Sequence, residues 1–252
     1  MVVPLTWNQL GLLVLSVVVT LIAAVLATWL AWNEQPNGDP LQDPAFGILP
    51  DWSDIEFPIV NIFVICQYVV GALAFKKRTK FVAQFIILQC VITILRALTV
   101  SISHIPNIHI YEYCKTRPTG FIEVLHLMIT HGTCADYMFS GHTATSLLAL
   151  LFTVYHGNRK CCKYVAIPIS LILFVFTVLF LLLQRWHYTM DILIAMIITV
   201  LLFYLYKIDD KQEKKWFYFD YEDVECIEAE VVDVDVDVGD SASPYTAYVI
   251  KF

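Results

Sequence analysis

Six long apolar runs constrain this 252-residue chain more than any other feature. Each run is close to the ~20 residues that a helix needs to cross the hydrocarbon core of a membrane. In lipid, a helix satisfies all of its own backbone hydrogen bonds. The sequence therefore predicts an all-α fold, a six-span transmembrane helical bundle. The predicted spans are Leu10–Trp32, Phe57–Phe75, Phe81–Val100, Tyr137–Tyr155, Tyr164–Leu183 and Tyr188–Tyr206.

The composition and the charge distribution support a membrane domain followed by a polar tail. Hydrophobic residues make up 58% of the chain and charged residues 15%, against roughly 45–50% and about 25% in soluble domains. Residues 207–252 hold 5 Lys and 13 Asp or Glu, a net charge of −8, whereas residues 1–206 carry +1. We predict a transmembrane domain over 1–206 and an acidic, disordered cytosolic tail over 207–252. The overall charge of −7 argues against nucleic acid as a partner.

Basic residues orient the predicted bundle. They cluster in 76–80, 159–163 and 207–215, which six spans bring to one side of the membrane together with the N-terminus. The positive-inside rule makes that side cytosolic, so both termini are predicted to be cytosolic. The loop 33–56 contains six carboxylates and no Lys or Arg, and 101–136 is the long second outer connection.

Two polar clusters lie where spans four and six begin. Residues 134–143 read CADYMFSGHT and residues 187–191 read HYTMD. Polar groups at membrane depth are costly and are therefore functional candidates. Both spans start from the outer face, so His142 and His187 can meet at one depth. His187 and Asp191 stand at i and i+4 and share one helical face.

These residue types suit phosphoryl transfer. A carboxylate on one ring nitrogen of His187 fixes its tautomer and leaves the other nitrogen as nucleophile or base. A helix N-terminus offers N–H donors and partial positive charge to an anion, and His142 could protonate a leaving oxygen. The pattern indicates chemistry through a phosphohistidine, with no cofactor and no metal.

The order Cys-x-Asp-x-x-x-Ser-Gly-His-Thr, followed one hairpin later by His-Tyr-Thr-x-Asp, resembles the sphingomyelin synthase family. This family is a six-span relative of the lipid phosphate phosphatases, so the resemblance implies a lipid phosphatase-like core. Two upstream segments also resemble the family, Leu-Pro-Asp at 49–51 and RALTVSISHIP at 96–106. The resemblance covers roughly residues 45–206. Ala135 stands where the family has Gly between the Cys and the Asp of the first motif.

The resemblance implies a ceramide phosphotransferase. Such an enzyme moves a phospho-head group from a glycerophospholipid donor to the primary hydroxyl of ceramide and releases diacylglycerol. Phosphocholine is the favoured head group, with phosphoethanolamine and phosphoinositol as alternatives. By the same resemblance His187 attacks phosphorus and Asp191 orients it. His142 protonates the departing diacylglycerol oxygen and then deprotonates ceramide, and Asp136 orients His142.

Further residues are candidates for substrate binding. They are Arg96, Ser140, Gly141, Tyr188 and Glu123. Arg96 either binds the donor phosphate or pairs with a carboxylate and snorkels to the interface. For Glu123, and for the outer cations Lys115, Arg117 and Arg185, an ordinary solvated or lipid-facing role competes with a place in the site. Cys114 and Cys134 either form a disulfide in the outer loop or remain free thiols.

Two other function classes stay open. A lipid phosphate phosphatase would use water in place of ceramide. The first motif of that family has a Lys seven positions before an Arg-Pro pair. Here Arg117-Pro118 is present, but position 110, seven residues earlier, is Ile. A non-enzymatic membrane binding protein would not need the two histidines. The orientation fits a multi-pass protein of the Golgi or plasma membrane with a lumenal or exoplasmic site, and a homo-oligomer is possible.

Overall fold

The computed structural model describes eight segments of the chain, and within them every regular element is an α-helix. The described residues are 7–33, 41–53, 55, 59–74, 78–103, 120–130, 138–156 and 160–211, all within the first of two units, Met1–Phe219. The predicted all-α class is confirmed for these residues. The helices are α1 (Trp7–Asn33), α2 (Pro44–Ile48), α3 (Ile59–Ala74), α4 (Arg78–Ile102), α5 (Phe121–Thr130), α6 (Gly141–His156), α7 (Lys160–Leu183) and α8 (Thr189–Lys211).

Each predicted span coincides with a helix, but the helices differ in length. Four are long and apolar enough to cross a membrane, namely α1, α4, α7 and α8. The helices α3 and α6 are apolar but shorter, with 16 residues each. The membrane character is therefore supported by four candidate spans, and the six-span topology stays a prediction. Residues 212–252 lie outside the described part, so the tail and the boundary at 206 stay predictions as well.

The structure corrects three details of the sequence prediction. The fourth span was predicted from Tyr137, but α6 begins at Gly141 because the Ser140 side chain accepts from the Thr143 N–H and caps the helix. The segment 33–56 was taken as loop and contains α2, whose Asp43 caps it directly before Pro44. The connection 101–136 contains α5, an apolar helix that packs against α1.

The central element is α6, which packs against α3, α4, α7 and α8. Every residue in 143–150 is buried, as expected for a helix that other helices surround on all sides. By contrast, α1 packs against α4 and α5 and leaves Val14 and Leu15 more than half exposed. The first turn of α6, which carries His142, is therefore held by the best-packed helix of the bundle.

A buried polar network fixes α6 to its neighbours. The Gln67 amide of α3 donates to the Ser170 carbonyl and hydroxyl oxygens of α7, at 3.1 and 3.2 Å. Ser146 of α6 donates to the Gln67 Oε1 atom and contacts the Thr177 hydroxyl of α7. Because Gln67 is fully buried, its bonds replace contacts that water would otherwise make. The network therefore sets the register of α3, α6 and α7.

Replacing Gln67 with Leu should lower the stability of the bundle. The change leaves the Ser170 and Ser146 groups without their amide partner, a cost of roughly 1–3 kcal/mol. The measurement is thermal unfolding of the purified protein in detergent. The neighbouring Cys66→Leu variant is the control, because Cys66 is exposed and should tolerate Leu. Equal unfolding temperatures for the two variants would contradict this role of the network.

Candidate active site

The connection from α7 to α8 is a tight reversal that carries His187. The helix α7 ends in a Schellman motif, in which the Trp186 N–H donates to the Leu181 carbonyl at 3.0 Å and the Arg185 N–H to the Leu182 carbonyl at 3.2 Å. Arg185 has φ of 53°, the left-handed conformation that this motif requires and that glycine usually supplies. The reversal sets His187 immediately before the N-terminus of α8.

Asp191 organises that N-terminus. Its Oδ2 atom accepts from the Tyr188 N–H at 3.0 Å, the backward contact of a capping box. The same Oδ2 atom lies 3.7 Å from the Nδ1 atom of His187. His187 is 5% exposed and Asp191 is 1% exposed. The carboxylate therefore faces one nitrogen of a buried imidazole. The predicted shared helical face is wrong, because His187 precedes α8, which begins at Thr189, but the two side chains still meet.

A backbone hydrogen bond joins the two polar clusters. The Ser140 N–H donates to the Asp191 carbonyl at 3.2 Å, so the start of α6 lies against the first turn of α8. Ser140 is fully buried, and its hydroxyl also accepts from the Thr143 hydroxyl at 3.0 Å. Two segments far apart in sequence thus present their helix N-termini side by side, as the predicted topology requires.

His142 lies at the second position of α6 and contacts three other elements. Its Nε2 atom is 2.8 Å from the Oδ1 atom of Asn61 in α3. Its ring centroid is 5.9 Å from that of Trp186, and the imidazole interacts electrostatically with His187 and Arg96. Its Nδ1 atom is buried, and no described residue forms a hydrogen bond with it. Asn61 thus pairs with one ring nitrogen, and the other is buried without a hydrogen bond to any described residue.

Arg96 and Gly141 meet at a cavity beside His142. The cavity has a volume of about 210 Å³. A Cβ atom at Gly141 would collide with the Arg96 guanidinium, so glycine allows this cation to approach the start of α6. Arg96 therefore lies with the histidines rather than away from them. The lining residues are Val64, Gln89, Ile92, Thr93, Arg96, Gly141, His142 and Thr145.

Residues 41–46, which precede and form α2, pack onto the α8 N-terminus. Asp43 accepts from the Thr189 N–H at 2.6 Å and from the Thr189 hydroxyl at 2.7 Å. The Tyr188 hydroxyl accepts from the Leu41 N–H at 3.0 Å, and its ring lies 5.9 Å from that of Phe46. Tyr188 thus connects the turn to this segment, and a role in substrate binding stays a prediction.

Arg185 clamps the same segment. Its Nε atom lies 2.7 Å from the Asp51 Oδ2 atom, its guanidinium donates to the Phe46 carbonyl at 3.3 Å, and its Cζ atom is 4.6 Å from the Phe46 ring centroid. Arg185 therefore has a structural role in place of the solvated or lipid-facing role that was expected. This contact also explains the Leu-Pro-Asp motif, whose Asp51 is the partner of Arg185.

The remaining candidates lie elsewhere. Glu123 is exposed in the first turn of α5, and its place in the site stays a prediction. Among the described residues, no group of three or more His, Cys, Asp or Glu side chains could hold a metal ion. Several predicted residues lie outside the described ranges, namely Asp136, Cys114, Cys134, Lys115 and Arg117.

Two residues of this site did not emerge from the sequence prediction. Asn61 is, like Gln67, a polar residue within the apolar run 57–75, a signal that could have identified it. Asp43 was counted only as one carboxylate of an acidic loop. Its contact with Thr189 spans 146 positions, which no local pattern reveals.

A family model described as "PAP2 superfamily C-terminal" matches residues 133–208. The match contains both polar clusters, and with them His142, His187 and Asp191. The matched region is similar to the C-terminal part of PAP2 superfamily proteins. The helices of this region that the structure describes are α6, α7 and most of α8.

The similarity to curated relatives extends beyond residues 133–208. The chain is 24% identical over 184 residues to phosphatidylcholine:ceramide cholinephosphotransferase 1 of Gallus gallus, covering 66% of this chain and 43% of the relative. It is 23% identical over 214 residues to the type 2 protein of Macaca fascicularis, covering 78% and 58%. A phosphatidylinositol:ceramide inositolphosphotransferase of Trypanosoma cruzi is 36% identical over 84 residues, covering 32% and 24%.

These relatives confirm the resemblance to the sphingomyelin synthase family at low identity. All three are named as ceramide phosphotransferases, the enzyme class that the two motifs imply. The chain spans about two fifths of the length of the first relatives that it matches. The names differ in head group, choline in two and inositol in the third.

Replacing Asp43 with Ala should destabilise the α8 N-terminus. The change removes both acceptors for Thr189 and the cap of α2, and the loss of one cap costs about 0.5–2 kcal/mol. Thermal unfolding in detergent measures the effect. Asp43→Asn is the matched variant, because the amide keeps one capping oxygen and should retain most of the stability. A fully stable Asp43→Ala protein would show that this contact does not support the turn.

Proposed function

We propose that this protein is a ceramide phosphotransferase that works through a phosphohistidine. It transfers a phospho-head group from a glycerophospholipid to the primary hydroxyl of ceramide and releases diacylglycerol. One observation carries the proposal: His142, His187 and Asp191 come together at the adjoining N-termini of α6 and α8. The names of the curated relatives support the same reaction class.

The first half-reaction forms a phosphorus–nitrogen bond. The Asp191 carboxylate faces Nδ1 of His187 and favours a proton there, which leaves the Nε2 lone pair to attack the donor phosphorus. The bond between phosphorus and the diacylglycerol oxygen breaks, and His142 in its imidazolium form gives that oxygen a proton. The products are diacylglycerol, neutral His142 and a phosphoester held on His187.

The second half-reaction reverses the proton flow. Neutral His142 takes the proton of the ceramide primary hydroxyl, and the ceramide oxygen attacks phosphorus. The phosphorus–nitrogen bond breaks, which restores His187 and returns His142 to the imidazolium form.

Asn61 assigns the proton-carrying atom of His142. Its Oδ1 atom is an acceptor, so the Nε2 atom of His142 keeps its hydrogen in both charge states. The proton that His142 gives and takes is then the one on Nδ1, the buried nitrogen with which no described residue forms a hydrogen bond. One histidine is thus oriented by a carboxylate as nucleophile, and the other is oriented by an amide as acid and base.

Positive charge and helix N-termini support binding of the donor phosphate. Arg96 lines the cavity beside His142, and the first turns of α6 and α8 contribute partial positive charge. Ser140 and Gly141 stand at the start of α6, and we propose that their backbone borders the phosphate. Phosphocholine is the favoured head group, with phosphoethanolamine and phosphoinositol as alternatives.

The proposed topology has six spans, with both termini cytosolic and the site on the lumenal or exoplasmic side of the Golgi or plasma membrane. Basic loops on the predicted cytosolic side support this orientation. We propose that the acidic tail over 207–252 has no part in the reaction.

Trapping the intermediate tests the proposal. A donor phospholipid labelled in its phosphate, given without ceramide, should leave acid-labile and alkali-stable label on the wild-type protein. Adding ceramide should move the label into a sphingolipid. His187→Ala should abolish labelling, and Asp191→Asn should slow it by roughly 10²-fold or more.

His126→Ala is the matched control, because His126 is an exposed histidine of α5 outside the proposed machinery and should leave labelling intact. Phosphate release from a lipid monoester without any need for ceramide would replace the proposal with a phosphatase. Inactivity toward every lipid would point to a binding protein instead.

A further inference from the structure

Residues 41–53, here called the α2 segment, carry large apolar side chains on their surface. Ile48 is 83% exposed and Leu41 is 52% exposed, and Trp52 is exposed as well. None of the five residues of α2 is buried. Water solvates such a surface poorly, and exposed apolar patches often mark a place where lipid or another protein binds. The α2 segment therefore presents a surface that calls for a partner.

Hydrogen bonds fix the level of the α2 segment relative to two long helices. The Trp52 N–H donates to the carbonyl of Leu183 at 2.9 Å, and Leu183 is the last residue of α7. Asp43 accepts from the N–H of Thr189, which is the first residue of α8. Both helices are long and apolar enough to cross a membrane. The segment thus lies at the level where α7 and α8 would leave the hydrocarbon core.

A row of aromatic rings connects the α2 segment with the exposed side of α7. The ring centroid of Phe63 lies 5.8 Å from that of Phe176 and 5.4 Å from that of Phe180. The ring of Phe180 in turn lies 5.7 Å from that of Trp52. Phe176 is exposed, as expected for a side chain that faces lipid, and tryptophan is enriched where spans meet the membrane–water interface. The apolar surface of the segment is therefore continuous with the lipid-facing side of the bundle.

The charged groups of the α2 segment are bonded within the protein. Asp43 and Asp51 are its two charged residues. Asp43 caps α2, and Asp51 forms an ion pair with Arg185 and accepts from the Ser53 N–H at 3.0 Å. A carboxylate that already has hydrogen bonds loses less when it leaves bulk water than one without them. The segment thus combines bonded carboxylates with exposed apolar side chains, as interfacial elements of membrane proteins do.

We propose that the α2 segment lies in the lipid–water interface and that Ile48 and Leu41 insert into one leaflet of the bilayer. The partner is the lipid surface, because the exposed apolar patch continues onto helices that face lipid. Asp43 and Asp51 tie the segment to the turn before α8, so its contact with lipid helps to hold the turn that carries His187. The inference concerns contact with lipid and does not depend on the transferase reaction.

Photo-crosslinking in a bilayer tests this contact. The full-length protein carries p-benzoylphenylalanine at position 48 and is reconstituted into vesicles of phosphatidylcholine that is labelled in its acyl chains. A phosphohistidine adds no label, because the acyl chains leave with diacylglycerol. Irradiation should attach lipid to position 48 within roughly twofold of the amount attached at Ile197, an exposed residue of α8.

Ile192 is the matched control, because it lies on α8 as Ile197 does but is buried. The same probe at position 192 should give much less label than at position 48. Leu41 is the second test position, so the inference stays testable if the variant at position 48 does not fold.

The outcomes separate lipid from the other possible partners. Strong lipid label at positions 48 and 41 supports the inference. Label there that is no higher than at position 192, with strong label at position 197, overturns it, because the segment then faces water. A crosslinked dimer at position 48 in place of lipid label also overturns it and assigns the surface to a second copy. Absence of label at all four positions contradicts the lipid-facing placement of α8 and overturns the inference with it.

Discussion

The carboxylate of Asp191 holds the N-terminus of α8 and the imidazole of His187 in one arrangement. A buried carboxylate is costly unless donors or positive charge surround it. Here the Tyr188 N–H donates to it, the helix N-terminus contributes partial positive charge, and an imidazolium at His187 would add a full one. One carboxylate thus both caps α8 and faces the His187 imidazole. The carbonyl of Asp191 adds the link to Ser140.

The turn before α8 needs support from the rest of the chain. Its Arg185 adopts a left-handed backbone conformation, which costs a residue with a side chain about 1 kcal/mol or more. Contacts of its guanidinium with Asp51 and Phe46, and of Asp43 with Thr189, offset that cost. Residues 41–53 are therefore a structural part of the site, and the first turn of the central helix α6 forms its other side.

The sequence was sufficient where the physics is local. Apolar runs predict helices because lipid and core impose the same requirement on the backbone. The short spacing of His187 and Asp191 predicts their proximity, although His187 lies in the turn before α8 and not on a shared helical face. Contacts between segments that are far apart in sequence produce no such local pattern. The pairing of Asn61 with His142 depends on how α3 packs against α6. The pairings of Asp43 with Thr189 and of Asp51 with Arg185 depend on how residues 41–53 pack against the turn before α8, and all three are tertiary properties. The helix α5 was missed because a ten-residue apolar stretch is too short to signal a span.

The most direct test of the account is an experimental structure of the full-length protein with orthovanadate, an analogue of the phosphoryl-transfer transition state. We expect vanadium bonded to the Nε2 atom of His187, with Asp191 on the opposite ring nitrogen and the Nδ1 atom of His142 on the apical oxygen. Vanadate held by His142, or bound away from both histidines, would contradict the assignment of His187 as the nucleophile and with it the central claim.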